Sequence, residues 1–356
     1  MAKPINTLVL GASYGSLLAT KLLMAGHNAH LVCLPAEADL INAEGMRVRM
    51  PVKGRDGLVE VDSRKLAGKV SASPPGGVDP TKYDLVALAM QEPQYRADGV
   101  RQLLDRDAGG RVPSMSIMNR PPLPYLARIP GLSTDSLKPC FADATVWQNF
   151  DPNFMTLCSP DPQAFRPPEE KNNVLQVRLP TNFKAARFAS DAHTAILKTL
   201  EKDIDAARFD AGDGKPIELP VKLKVHDSVF VPLAKWAMLL AGNYRCVEKD
   251  AMRPIKDAVH SNLAETRAVY EWVVKLCVSL GADAGDMVPF EKYANAALSL
   301  GSPSSAARAL AAGAPNIERV DLLVQSIAAQ KGMRLQAVDD TVALVESWLA
   351  KNRAKA

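Results

Sequence analysis

The stretch from Ile5 to Leu34 constrains the fold more than any other part of this chain. Ile5–Leu10 is a short run of β-forming residues, and the glycine-bearing turn LGASYGS follows it. Leu17–Ala25 then reads as a helix stopped by Gly26, and Ala29–Leu34 as a second apolar strand. A strand, turn, helix and strand within about 30 residues open a doubly wound α/β sheet. Lys3 ahead of the apolar run Thr7–Ala19 has a signal-peptide look. The strand-and-helix reading is preferred, because the glycines fall where the turn needs them and the apolar pattern continues through Leu22 and Leu23 to Gly26.

Further strands are expected over Leu85–Met90 and Ser114–Met118. From Pro121 to Pro220 the text turns irregular. Short β-like pieces, Val174–Leu179 and Ile217–Leu219, alternate with one helical stretch, Ala192–Ala207. This reads as the rest of the first domain, with a long insertion or an antiparallel edge. After Val225 the pattern is helical. Asn262 and Glu265 have capping-box spacing, and Tyr270, Val273, Val274 and Cys277 recur at helical intervals. The last helix carries Asp339 and Asp340 at its start and Lys351 and Arg353 at its end, as the helix dipole favours. A chain of 356 residues accommodates two domains, expected here over residues 1–220 and 221–356.

Charge and cysteine content narrow the partners. Lys and Arg total 43 against 39 Asp and Glu, a formal net charge of +4 that argues against nucleic acid or an anionic membrane as a main partner. No apolar run is long enough to span a bilayer. Cys33, Cys140, Cys158, Cys246 and Cys277 are scattered without a C-x-x-C pair, which suits buried thiols in a reducing, cytoplasmic compartment. His27 and His30 lack metal partners at a recognisable spacing, so no metal is expected.

A glycine-rich turn after a first strand lets backbone amides approach a pyrophosphate at the start of the next helix. Here it is Gly11-Ala12-Ser13-Tyr14-Gly15-Ser16, with two glycines four residues apart. The turn alone leaves two readings level: a dinucleotide cradle, or a tight turn that only packs a helix on a sheet.

LGASYGSLLATKLLMAGHNAHLV resembles the opening of the ketopantoate reductases. Three later segments are similar in the same order: Asp84-Leu-Val-Ala-Leu-Ala-Met-Gln91, then Lys235-Trp-Ala-Met-Leu-Leu-Ala-Gly-Asn243, then Ser304-Ser305 through Glu318 followed by KGMRLQAVDDTV. The resemblance implies a Rossmann-type domain that binds NADP or NAD through residues 11–16, Gln91 and Asn119, and an all-α C-terminal domain for substrate and dimerisation. It also implies a homodimer and a small 2-oxo acid substrate, ketopantoate by default, on the route to pantothenate. The departures fall on the cofactor. Neither gapped nor ungapped alignment keeps the middle glycine. The family's arginine after the second strand corresponds to Leu34 or Pro35, and a phosphate-binding lysine to Gln91. With Glu37 as the nearest acid to that strand's end, the expectation is a preference for NAD or weak binding.

The resemblance makes Lys235 the proton donor. From its pattern alone, a lysine inside the apolar stretch Val229–Ala241 either sits partly buried as an acid or snorkels from a helix flank. Asn243, eight residues on, is placed on the same helical face, with helix capping as its rival role. Asn119 follows an apolar strand, where such folds hold ligands. Ser305 matches a substrate-binding serine and also suits a helix N-cap. Glu318 is the nearest counterpart of a substrate-binding glutamate and would serve equally as a solvated helix-start carboxylate. Leu239 replaces a family asparagine, which suggests a less hydroxylated or bulkier substrate. Two alternatives stay open: an opine-type dehydrogenase of the same two-domain plan, and a non-catalytic binding protein that has lost productive cofactor binding.

Overall fold

β1 (Asn6–Leu10) is apolar on both faces and almost wholly buried, so it needs strands on each side. In the computed structural model, which describes residues 3–355, it receives them. α1 (Gly15–Met24) returns over the sheet to β2 (Asn28–Val32), which pairs in parallel with β1 from Asn6 opposite Asn28 to Leu10 opposite Val32. α2 (Pro35–Glu44), β3 (Arg47–Pro51), β4 (Leu58–Asp62), β5 (Val70–Ser73), β6 (Leu85–Leu88), α3 (Val100–Gly110) and β7 (Ser114–Ile117) follow. The chain then passes through the short α4 (Leu123–Leu126). It resumes the sheets with β8 (Met155–Ser159), β9 (Gln163–Phe165), β10 (Val174–Leu179) and β11 (Phe183–Ala186), then α5 (Asp191–Ala206), the small pair β12 (Phe209–Asp210) and β13 (Pro216–Ile217), and β14 (Leu223–His226).

Among the described residues the main sheet has the order β14-β11-β8-β7-β6-β1-β2-β5. From β5 to β8 every pairing is parallel. Only β8 with β11 is antiparallel. Strand order reverses between β1 and β6, the place where doubly wound sheets leave a crevice at the carboxyl ends of their strands. From Val146 onward the irregular middle of the sequence is thus the far edge of this sheet plus β9 and β10, whereas residues 119–145, expected in the first domain, group with the C-terminal helices. β9 and β10 join β3 and β4 in a second sheet of order β4-β3-β10-β9.

One compact unit comprises Met1–Met90, Gln94–Met118 and Val146–Asp227; the other comprises Gln91–Pro93, Asn119–Thr145 and Ser228–Ala356. The second is helical: α6 (Lys235–Met238), α7 (Ile255–His260), α8 (Leu263–Ser279), α9 (Phe290–Ala297), α10 (Ser305–Ala311), α11 (Val320–Gln330) and α12 (Gln336–Arg353). Asn262 caps α8, its side chain accepting from the Glu265 amide at 3.2 Å. Tyr270 stacks on Tyr293 with ring centroids 5.4 Å apart. Lys351 and Arg353 lie in the last turn of α12, where the sequence pattern places them. Asn352 is buried and donates to the carbonyls of Leu310 and Ala314. No helix among the described residues is long and apolar enough to cross a membrane.

Candidate functional site

The glycine turn lies in the first unit. Gly11 has φ +103°, a left-handed conformation that disfavours any side chain, and its amide donates to the Val32 carbonyl at 2.8 Å. A Cβ there would also crowd Met90 and the Ala89 carbonyl, so the turn is pressed against the end of β6. Ala12 is buried, Ser13 is exposed, and Gly15 and Ser16 are buried at the start of α1. The Ser16 hydroxyl donates to the Ala12 carbonyl, and the Ser16 and Leu17 amides close the first helical turn on Ser13 and Tyr14. Tyr14 is engaged elsewhere. Its hydroxyl donates to the Pro162 carbonyl at 2.8 Å, and its ring meets Phe183 edge-on. Burial holds that phenol well above its ordinary range. Residues 160–166 are thereby fastened to the turn, a contact between segments about 150 residues apart that no local pattern announces.

In the second unit the apolar stretch around Lys235, within the region that reads as helical after Val225, is broken into three types of turn. Val231–Ala234 is a tight 3₁₀ turn, α6 runs from Lys235 to Met238, and Leu239–Asn243 is a π-helical turn. The π turn decides which face Asn243 shares. In an uninterrupted α-helix eight residues advance about 800°, leaving Asn243 about 80° away from Lys235. The π turn absorbs one extra residue, so the advance is that of about seven residues, about 700°, and Asn243 comes back to within about 20° of Lys235. Exposure agrees: Lys235, Met238 and Asn243 are half-buried, whereas Trp236, Ala237 and Leu239–Gly242 are buried. Leu239 is only 5% exposed and packs in the helical core, which removes the reason to read a substrate preference from it.

Glu318 is drawn into this neighbourhood and is not a solvated helix-start carboxylate. The Glu92 amide donates to its Oε1 at 3.3 Å. The backbone and side-chain N–H groups of Asn119 also hydrogen-bond to it, and the charges of Arg120 and Lys235 act on it. Burial raises its carboxyl pKa, and the Arg120 charge, the Asn119 hydrogen bonds and the Lys235 charge oppose the rise. Asn119 is half-buried and keeps a buried Oδ1 with no hydrogen-bond partner. Lys235, Asn119 and Glu318 thus belong to one electrostatic cluster, while Asn243 lies along the helical face that Lys235 heads.

Three members of the cluster carried no signal in the sequence reading. Arg120 is fully buried, pairs with Glu92, donates to the Cys140 carbonyl and lies over the Phe141 ring at 3.9 Å. Burial lowers its pKa to about 10, with the Glu318 charge opposing. Glu92 also accepts from the Ala142 amide at 3.2 Å. Tyr244 donates its hydroxyl to the Glu318 carbonyl and accepts from the Val320 amide at 3.0 Å, tying the end of the π turn to the segment that carries Glu318. Ser305 is exposed at the first position of α10. The capping role falls to Ser304, whose hydroxyl accepts from the Ala307 amide and donates to the Asn243 carbonyl at 2.7 Å. Gln91, beyond β6, is exposed.

No protein-family model matches the chain, and no curated protein does. Solved structures do match. The 2-dehydropantoate 2-reductase from Methylococcus capsulatus superimposes with a TM-score of 0.63 at 14% identity, covering 98% of each chain. A ketopantoate reductase from Ralstonia eutropha JMP134 gives 0.59 at 16% identity, covering 98% of this chain and 100% of that one. D-Mandelate dehydrogenase, in a ternary structure with NADH and anilino(oxo)acetate, gives 0.62 at 13% identity, with coverages of 98% and 99%. At this identity the likeness speaks for architecture, and the fold of this chain is that of the ketopantoate reductases.

Proposed function

We propose that this chain is a nicotinamide-dinucleotide-dependent reductase that converts a small 2-oxo acid to the 2-hydroxy acid, with Lys235 as general acid. The observation that carries the reading is the grouping of Lys235 with Glu318 and Asn119, on a helical face that the π turn extends to Asn243. A lysine ammonium is the form a proton donor needs. The buried Oδ1 of Asn119 is an unused acceptor for a substrate or cofactor group.

The turn suits a dinucleotide in its backbone. It has a left-handed Gly11, a ten-residue helix behind it and a position at the reversal of strand order. Gly11 to Ser16 would hold the diphosphate, with Gln91 and Asn119 as further contacts. The dinucleotide, NADP or NAD, would supply the hydride in its reduced form when bound. Lys235 gives its proton to the carbonyl oxygen, and Glu318 steadies the ammonium beforehand. Asn243 and Ser305 would orient the substrate carboxylate or hydroxyl. Ketopantoate is the first substrate to try, and a homodimer the assembly to look for by sedimentation.

The test is oxidation of NADH and NADPH by a panel of 2-oxo acids including ketopantoate, with and without added amino acids. Turnover that requires the amine would point to opine-type imine reduction. Lys235→Ala should lower kcat by about a hundredfold or more with dinucleotide affinity little changed. Unchanged kcat would remove the assigned role.

A further inference from the structure

Glu37 is the third residue of α2, directly beyond β2, and its side chain is only 11% exposed. It lies 22 residues past Gly15 in the sequence. An acidic residue about 20 residues beyond the glycine turn is where doubly wound sheets read the adenosine ribose: a carboxylate accepts from the 2′-hydroxyl, and an arginine nearby takes a 2′-phosphate. Here both groups are present and are bonded to each other. The guanidinium of Arg166 pairs with the Glu37 carboxylate. Arg166 does not come from the end of β2, where Leu34 stands 74% exposed. It follows β9, in the segment that Tyr14 anchors through Pro162. β9 is fixed in the second sheet by its antiparallel pairing with β10, Phe165 opposite Gln176. The pair is therefore held from two sides, by the start of α2 and by an edge strand. Cys33 lies beside it. Burial raises that thiol to about 11, with the Arg166 charge pulling the other way.

The geometry points to the Glu37–Arg166 pair as the device that sets dinucleotide preference, admitting NADH and discriminating against NADPH. A ribose 2′-hydroxyl can donate to a carboxylate oxygen of Glu37 while the ion pair stays intact. A 2′-phosphate, carrying a charge of about −1.5 to −2, must instead pull Arg166 away from Glu37 and then face a poorly solvated carboxylate. The insertion thus returns an arginine to the adenosine end and neutralises it in the same contact. This inference rests on the dinucleotide-binding reading above and specifies which dinucleotide.

Calorimetric titration of the full chain with NADH and with NADPH tests it without any turnover assay. Wild type should bind NADH more tightly by about tenfold or more. Glu37→Gln removes the repulsion and releases Arg166, so the NADPH-to-NADH affinity ratio should rise by about tenfold. Arg166→Met leaves Glu37 charged and should lower NADPH affinity further, while Arg166→Lys should keep the wild-type order. Equal or tighter NADPH binding by wild type overturns the inference, as does an unchanged ratio in Glu37→Gln when its thermal transition matches wild type. Binding of neither dinucleotide overturns the reading beneath it, and this inference with it.

Discussion

The guanidinium of Arg120 and the carboxylate of Glu92 form an ion pair in the helical unit with both side chains withdrawn from water, at 0% and 2% exposure. The same guanidinium lies on the face of Phe141 and acts on Glu318, so two acidic side chains depend on one buried cation. Removing one partner of such a pair leaves an uncompensated charge and costs about 3–5 kcal/mol, more than the intact pair contributes. Arg120→Met should therefore lower the urea midpoint strongly. Arg120→Met with Glu92→Gln should recover part of the loss, because the stranded carboxylate is gone. A single variant as stable as wild type would show that water reaches this site.

Asp107 on α3 is 1% exposed, and burial raises its pKa to about 7. The hydrogen bonds favour a neutral acid. Ser114 Oγ lies 2.9 Å from Asp107 Oδ2 and 3.0 Å from the Val112 carbonyl, yet a hydroxyl has one hydrogen to give. A protonated Asp107 donates to Ser114, which is then free to donate to Val112. An unfolded aspartate ionises near pH 4, so between about pH 4 and 7 the folded chain holds a proton that the unfolded chain has lost. Stability from this group is complete below that window, falls as pH rises through it, and is flat above it. Asp107→Asn should abolish that fall, gaining about 2–4 kcal/mol on wild type between pH 4 and pH 8. Urea titrations at the two pH values measure it, and parallel pH profiles for the two proteins would refute the assignment.

The parts of the fold legible in sequence are those encoded locally. The strand, turn and helix around Gly11, and the cap from Asn262 to Glu265, lie within the span over which periodicity and hydrogen-bonding side chains act. The strands at the far edge of the sheet were harder, because β8, β11 and β14 are ordered by pairing partners distant in sequence. The candidate site divides in the same way. Lys235, Asn243 and Asn119 stand out as polar residues in apolar or strand-end contexts, and Glu318 through the family resemblance alone. Their relationship does not, because it depends on a π turn and on Arg120, whose partner Glu92 is 28 residues away. The ion pair between Glu37 and Arg166 spans 129 residues and leaves no periodic trace.

Ser304 and Ser305 are adjacent, and the structure separates their work. Ser304 is 2% exposed, caps α10 and holds the Asn243 carbonyl. Ser304→Ala loses a cap and a buried hydrogen bond and should cost about 1–2 kcal/mol. Ser305 is exposed, so Ser305→Ala should leave the thermal transition within about 0.5 kcal/mol of wild type and, under the proposed function, raise KM for the 2-oxo acid. Equal destabilisation by both changes would assign Ser305 a structural role and take it out of the site.

The π turn depends on a close approach at Gly242. A side chain there would overlap the Tyr293 hydroxyl, which donates to the Met238 carbonyl at 3.1 Å and so seats the turn against α9. π turns exist where packing holds an extra residue in a helix, and Tyr293 is placed to do so. Gly242→Ala forces the two apart and should cost about 1–3 kcal/mol, as overpacking does. Because the overlap is with the hydroxyl oxygen, the same substitution in a Tyr293→Phe background should cost less, giving a favourable coupling of about 1 kcal/mol in a double-mutant cycle. Under the proposed function Gly242→Ala also rotates Asn243 away from the face of Lys235, so KM should rise before stability fails. An additive cycle would mean that Tyr293 and Gly242 do not meet, and the shared face of Lys235 and Asn243 would then lose its structural basis.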